Sequence, residues 1–137
     1  MSKTEQEQLK KKYYNEAIRY MDNAKETLKK AGKDDGVYLD DKYVRVACGT
    51  AYSGVLKALD GYLYLKGVEK KKGRKSIEFY YEHLSRLDQR MLSYMHDAYE
   101  ILHLSGYYDG LRTAKTIQAG FSVAYDIIKK IKPITNA

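Results

Sequence analysis

All three histidines of the chain fall in one predicted helix, and two of them share a face with a carboxylate. His96, Glu100 and His103 are spaced i, i+4 and i+7, which places their side chains in one column along that helix. Two imidazoles and a carboxylate can hold Zn²⁺ or a similar metal ion. A solvated polar face explains the same three residues. We keep them as a candidate metal site only, and we predict no metal and no other cofactor.

The single cysteine, Cys48, lies in the most apolar stretch of the chain. No histidine is near it in sequence, and no cation shares its face to favour the thiolate that a nucleophilic cysteine requires. The segment GTAYSG contains two glycines, but it lies inside a helical pattern and follows no strand, so it does not predict a phosphate-binding loop. The pattern favours a buried thiol in a reducing compartment.

The linker of residues 68–75 concentrates positive charge. Its basic residues are Lys70, Lys71, Lys72, Arg74 and Lys75, and it has one carboxylate, Glu69. Five cations can neutralise several phosphates, and Tyr64 or Tyr81 could stack on bases from either side. The net charge of +7 permits an acidic partner such as RNA. A solvated loop that keeps the protein soluble explains the same residues, so nucleic-acid binding through this linker is one hypothesis of two.

The stretch of residues 43–66 must position these groups, because the rest of the chain is organised around it. A run of small residues recurs there at steps of four and three, which draws one narrow stripe along a helix. The stripe consists of Ala47, Ala51, Gly54, Ala58 and Gly61. An apolar row runs beside it. Several neighbours can approach such a helix closely, so we predict the central helix of a bundle.

Three further helices are predicted around this one. The first covers residues 13–31 and ends at Gly32, the third begins after the cap Ser76 and runs unbroken to Ser105, and the fourth covers residues 107–132. Short loops between four helices predict an all-α, four-helix up-down-up-down bundle with one long third helix. We place this domain at residues 13–132, behind a flexible charged lead-in of residues 1–12, and we expect no β-hairpin.

The length and the distribution of apolar residues limit where the protein works. With 137 residues the chain can bury one hydrophobic core. The polar N-terminus lacks the apolar segment of a signal peptide. The longest charge-free run, residues 46–56, is too short to span a bilayer. These features predict a cytoplasmic protein with no membrane partner.

Four segments carry a pattern seen in a known group of proteins. They are YNEAIRYMDNAKETLKKAG, AYSGVLKALDGYLYLKG, AYEILHLSGYYDG and TAKTIQAGFSVAYDIIKKI. The first resembles the opening amphipathic helix of HEPN-type helical bundles, the second resembles their second helix, and the last two resemble their closing turn and last helix. The resemblance covers residues 14–131. Small uncharacterised bacterial bundle families are similar to the chain in the same way.

Many members of the HEPN group are RNases, so the resemblance implies an RNA substrate and an Arg-x4–6-His motif at a dimer interface. The match is RMLSYMH, residues 90–96, and the resemblance assigns catalysis to Arg90 and His96. Six residues at about 100° each place these two side chains about 120° apart around a helix. Met91 also stands where a polar residue usually follows the arginine. We therefore keep the RNase as the alternative.

The third predicted helix is apolar over more of its circumference than a four-helix bundle requires. Its surplus residues are Tyr81, Leu92, Met95 and Tyr99. Fifteen tyrosines and no tryptophan point the same way, since tyrosine is enriched at interfaces. We predict a homodimer that covers this face. The predicted function is a non-enzymatic binding or interaction bundle, and the alternatives are a HEPN-type RNase and a nucleotide- or nucleic-acid-binding bundle.

Overall fold

The protein is described by a computed structural model that covers residues 1–71 and 73–134. The described residues form five α-helices and a two-stranded hairpin. Their bounds are α1 Lys3–Lys29, β1 Lys33–Asp34, β2 Val37–Tyr38, α2 Asp41–Leu65, α3 Ile77–Leu87, α4 Gln89–Ala98 and α5 Ala114–Ile128. A π-helical segment, Tyr99–Tyr108, continues α4, and a 3₁₀ turn, Lys129–Ile131, follows α5. The prediction of an all-α class is confirmed apart from the small hairpin. None of the helices in the described residues is both long and apolar enough to cross a membrane.

Helix α2 is the centre of the fold, and α1, α5 and the π-helical segment all pack on it. The five residues of its small stripe are buried. A Cβ atom added to Gly54 would lie 3.1 Å from Tyr20 Cβ and 3.2 Å from the Ala17 carbonyl oxygen, and one added to Gly61 would lie 2.7 Å from Tyr13 Cβ. The small side chains therefore let α1 lie directly against the backbone of α2.

The prediction of one long third helix is wrong, because the chain turns at Asp88. The backbone of this residue is extended (φ −162°, ψ 102°), and its carboxylate accepts a hydrogen bond from the Met91 N–H at 3.1 Å as the cap of α4. The same carboxylate accepts a hydrogen bond from the Tyr62 hydroxyl of α2 at 2.9 Å. Burial alone would raise the pKa of Asp88, but these hydrogen bonds outweigh it and hold the pKa below its ordinary value.

The turn at Asp88 folds α3 back along α4. The Tyr81 hydroxyl lies 3.4 Å from His96 Nδ1, although 15 residues of straight helix would separate the two by roughly 22 Å. Tyr81 also makes an edge contact with Tyr99, with ring centroids 6.4 Å apart. The described residues thus form five helices where the sequence pattern predicts four. Asp is a preferred capping residue, so Asp88 inside the continuous apolar pattern was the one signal in the sequence for a break in this helix.

The expected absence of a β-hairpin is also wrong. Asp35 and Gly36 both have positive φ, 49° and 76°, which matches the two-residue turn that Asp-Gly favours between antiparallel strands. Lys33 pairs with Tyr38 across the hairpin. The Tyr38 N–H donates to the Arg112 carbonyl at 2.8 Å, so the hairpin ties the first connection to the segment that precedes α5.

Helix α1 begins inside the segment for which the sequence predicts a flexible lead-in. Ser2 and Glu5 form a reciprocal capping box at its start, in which each side chain accepts from the backbone N–H of the other. Residues 3–12 are therefore helical. The domain boundary at residue 13 stays a prediction.

We expect Gly54→Leu to lower the free energy of unfolding by about 1–3 kcal/mol, because the leucine must displace Tyr20 and the backbone of Ala17. Ala119→Leu is the matched control, since Ala119 is exposed on α5 and gains a similar side chain without a clash. Urea unfolding followed by far-UV circular dichroism measures both. Equal stability of Gly54→Leu and the parent protein would contradict the close packing of α1 on α2.

Candidate ligand-binding cleft

An open cleft of about 610 Å³ lies over α2 and is walled by the π-helical segment. Helix α1 contributes Tyr20 to its rim, and the linker before α3 contributes Arg74. We call it the tyrosine cleft and define it by six residues. They are Tyr20, Tyr52, Arg74, His103, Tyr107 and Tyr108.

His103 is the centre of a stack of aromatic rings. Its imidazole lies 4.7 Å from the ring of Tyr52 and 5.2 Å from the ring of Tyr99, both at an interplanar angle of 29°. Tyr107 is nearly parallel to the imidazole, at 6.0 Å and 12°, and Tyr108 meets it edge-on at 5.0 Å. Tyr107 and Tyr108 keep 45% and 59% of their surface exposed. The stack therefore ends in two rings that face solvent.

The spacing of residues along the π-helical segment builds this stack. Tyr99, His103 and Tyr107 are four residues apart, so successive rings rise on one side of a helix with about four residues per turn. The ring of Tyr107 lies against the backbone of α2 at Gly49, where an added Cβ would approach Tyr107 Cδ1 to 2.9 Å. This spacing was visible in the sequence. The contribution of Tyr52 was not, because it comes from a different helix.

Arg45 fixes the end of the segment that carries the two exposed rings. Its guanidinium pairs with the Asp41 carboxylate at 3.1 Å and donates to the carbonyl oxygens of Tyr107 and Tyr108. Carbonyl groups at a helix end lack partners within the helix, and a cation there is favourable. Gly110 leaves room for the guanidinium, since a Cβ at that position would overlap it. Sequence reasoning missed this role of Arg45.

The tyrosine cleft carries a positive charge and neutral rings. Burial, with the nearby cation of Arg74, lowers the pKa of His103 and so favours its neutral imidazole. Burial raises the pKa of Tyr52 well above its ordinary value, with a further contribution from Tyr99. No carboxylate among the described residues lines the cleft or pairs with Arg74. The arrangement suits a flat ring attached to an anionic group.

The basic residues of the predicted linker have different roles in the structure. Lys75 forms an ion pair with Asp60 at 3.3 Å, and both side chains are largely buried. The Tyr80 hydroxyl donates to the same carboxylate at 2.8 Å. Lys75 therefore anchors the linker to α2. Its neighbour Arg74 lies at the cleft.

The other predicted cations of the linker lie over aromatic rings or outside the described part of the chain. Lys70 Nζ is 5.4 Å from the ring centroid of Tyr64, and Lys71 Nζ is 5.5 Å from that of Phe79. Lys72 lies outside the described residues. Nucleic-acid binding by this linker stays a prediction.

The candidate metal ligands are not assembled into a site. Within residues 1–71 and 73–134, no group of three or more His, Cys, Asp or Glu side chains could hold a metal ion. His96 lies in α4 beside Tyr81, whereas His103 lies in the ring stack of the cleft. Glu100 is exposed at the start of the π-helical segment.

The two candidates for catalysis, the pair of Arg90 and His96 and the thiol of Cys48, do not line the tyrosine cleft. Arg90 and His96 are both exposed on α4, and the geometry of an α-helix places them about 120° apart. Cys48 is fully buried in α2, and its side chain lies against Gly106 of the π-helical segment. Burial raises the pKa of its thiol to about 12, which agrees with a core cysteine.

Comparisons with known proteins place the chain in a family without assigning it an activity. A comparison with curated proteins finds no match. The solved structure of a protein of unknown function from Dyadobacter fermentans is similar to the chain, with 40% sequence identity and a TM-score of 0.78 over 89% of this chain and 94% of that one. The model of the family described as "Domain of unknown function (DUF5618)" matches residues 12–133. The chain therefore belongs to the DUF5618 family.

Proposed function

We propose that the protein is a non-enzymatic binding bundle whose ligand site is the tyrosine cleft. The observation that carries this proposal is the pair of solvent-facing rings, Tyr107 and Tyr108, in the same cleft as the cation of Arg74. Exposed aromatic surface costs free energy in water. Binding of a ligand that covers the open ring stack is therefore favourable. The membership of a family of unknown function is compatible with this role.

The chemistry of the cleft defines the class of ligand. A flat ring would stack on Tyr107 or Tyr108, and each aromatic pair contributes about 0.5–1.5 kcal/mol beyond its buried area. A phosphate, sulfonate or carboxylate on that ring would lie at Arg74, whose planar guanidinium binds such groups through paired hydrogen bonds. Among the described residues that line the cleft, His103 makes ring contacts with the tyrosines and no hydrogen bond to a carboxylate or hydroxyl, which favours binding as the function.

We expect the dye anilinonaphthalene sulfonate, which combines flat rings with an anion, to bind in the cleft and to gain fluorescence. Tyr107→Ala and Arg74→Gln should each weaken dye binding about fivefold, which corresponds to about 1 kcal/mol. Leu87→Ala removes an exposed apolar side chain of α3 outside the cleft and should leave binding unchanged. Dye affinities equal in all three variants and the parent protein would overturn the proposal.

The alternative function is a HEPN-type RNase, which the resemblance assigns to Arg90 and His96. We predict no metal-independent RNA cleavage above that of buffer, because the two side chains diverge around α4 and His96 lies against Tyr81 instead. Incubation with a labelled RNA, followed by gel electrophoresis, measures this. Cleavage by the parent protein that disappears in both Arg90→Ala and His96→Ala would establish the RNase.

The homodimer stays a prediction, and the surface available for it is smaller than the sequence pattern indicates. Met95 is fully buried, and Tyr99 packs against His103. Tyr81 and Leu92 remain half-buried and line an open, mostly apolar groove of about 400 Å³. We propose this groove as the contact between two copies. The resemblance to HEPN bundles and a cytoplasmic location also remain proposals.

Sedimentation equilibrium at micromolar concentration tests the homodimer. We expect about twice the chain mass of 15.8 kDa, and Leu92→Glu should reduce it to the monomer mass because a buried carboxylate is costly. A mass that stays at 15.8 kDa across the concentration range would show that the groove is not a dimer interface.

A further inference from the structure

We infer that the tyrosine cleft is one end of a longer groove over α2 that binds single-stranded nucleic acid. This inference rests on the proposed function, since it names the ligand class of the same site. A second cleft, of about 330 Å³, lies between α1 and α2 and is lined by Arg19 and Lys57. Tyr20 borders both clefts, so the two lie side by side along α2. From Val46 to Lys57 the groove follows 11 residues of helix, roughly 17 Å, which is longer than one small ring.

Aromatic rings recur along this groove. Tyr107 and Tyr108 are exposed at one end, and Tyr20 keeps 37% of its surface exposed in the middle. Beyond Lys57, the half-buried ring of Tyr64 meets the buried ring of Tyr13 edge-on at 5.6 Å, so Tyr64 is the ring of this pair that a ligand could reach. Every base has an aromatic face, so a row of rings can stack successive bases without regard to sequence. A strand with free bases matches this row better than a single small ligand does.

Cations accompany the rings. Arg74 lines the tyrosine cleft, Arg19 lines the second cleft beside the ion pair of Lys57 and Glu16, and Lys70 lies over the ring of Tyr64. Positive side chains beside stacking rings are the combination that proteins use to follow the backbone of single strands. The net charge of +7 adds a long-range attraction for the phosphates.

The acidic groups of the groove are largely neutralised by neighbours. Glu16 pairs with Lys57 at 3.2 Å, and Asp60, on the same side of α2, is held by Lys75 and the Tyr80 hydroxyl. Lys75 therefore removes a negative charge from the path of the strand instead of contacting a phosphate. This explains why one lysine of the linker is buried while its neighbour Arg74 stays exposed.

A duplex does not suit the groove, because its bases are already stacked on one another and cannot reach the tyrosine rings. RNA and DNA single strands share the bases and phosphates that the groove would contact. A strand of either kind fits the inference. Tighter binding of RNA would indicate additional contacts with the 2′-hydroxyl groups.

Fluorescence anisotropy with labelled oligouridylate and oligothymidylate of about ten nucleotides tests the inference. We expect the parent protein to bind both single strands and to bind a duplex of equal length more weakly. Tyr107→Ala should weaken binding about five- to 150-fold without changing the salt dependence, because it removes stacking only. Arg74→Gln should flatten the log–log salt slope by about 0.7, the contribution of one phosphate contact on a single strand.

Lys115→Gln is the matched control, since Lys115 is an exposed lysine of α5 outside the groove and its loss changes the net charge equally. It should leave the affinity and the slope close to those of the parent protein. If Lys115→Gln lowers the slope as much as Arg74→Gln, and Tyr107→Ala has no effect, binding is a non-specific attraction to positive charge and the inference is wrong.

The dye titration separates this inference from the proposed function. Dye binding in the cleft without binding of either oligonucleotide would overturn the inference and leave the proposed function standing. Absence of both would overturn the two together. Binding of the oligonucleotides that competes with the dye would support both, because it places the strand on the same rings.

Discussion

The close approach of other segments to the backbone of α2 is the constraint on which the rest of the structure depends. On one side, Gly54 and Gly61 let α1 lie against it. On another, Gly106 of the π-helical segment lies against Cys48, and the ring of Tyr107 lies against Gly49. Protein interiors are packed as densely as organic crystals, so larger side chains at these positions would move whole helices. The small residues therefore set the width of the space in which the tyrosine cleft lies.

The π-helical segment converts this packing into a site. Such segments are rare, because their hydrogen bonds fit less well than those of an α-helix and need compensating contacts. They are found frequently at functional sites. Here the compensation comes from Arg45, which binds the terminal carbonyl groups, and from the ring stack around His103. The result is that Tyr107 and Tyr108 project from a fixed backbone. Rings held in this way lose little conformational freedom when a ligand binds, which favours binding.

The sequence predicts the helical class and the central role of α2 because both depend on local periodicity. It fails at Asp88 because the apolar pattern continues through the turn, and the hydrogen bond from Tyr62, 26 residues away, is a tertiary contact that no local pattern reveals. The hairpin at Asp35 and Gly36 had a local signal, and its dipeptide is a known turn sequence. Its short strands gave no alternation to support it.

The candidate site is less accessible to sequence reasoning than the fold. Its residues come from α1, α2, the linker and the π-helical segment, so no spacing within one segment reveals the cleft. The linker between α2 and α3 shows the same dependence on tertiary contacts. Adjacent basic residues look equivalent in the sequence, yet Lys75 pairs with Asp60 in the interior and Arg74 stays at the surface. Charge alone predicts where cations concentrate, and tertiary contacts decide which of them can reach a ligand.

The reactivity of Cys48, the single cysteine, tests the packing of the π-helical segment on α2 most directly. A disulfide reagent that releases a coloured thiolate reports its exposure at mildly alkaline pH. We predict labelling about a hundredfold or more slower in the native protein than in denaturant, because the thiol is buried under Gly106 and can react only after local opening. Labelling of the native protein as fast as that of the unfolded chain would contradict the contact that forms the cleft.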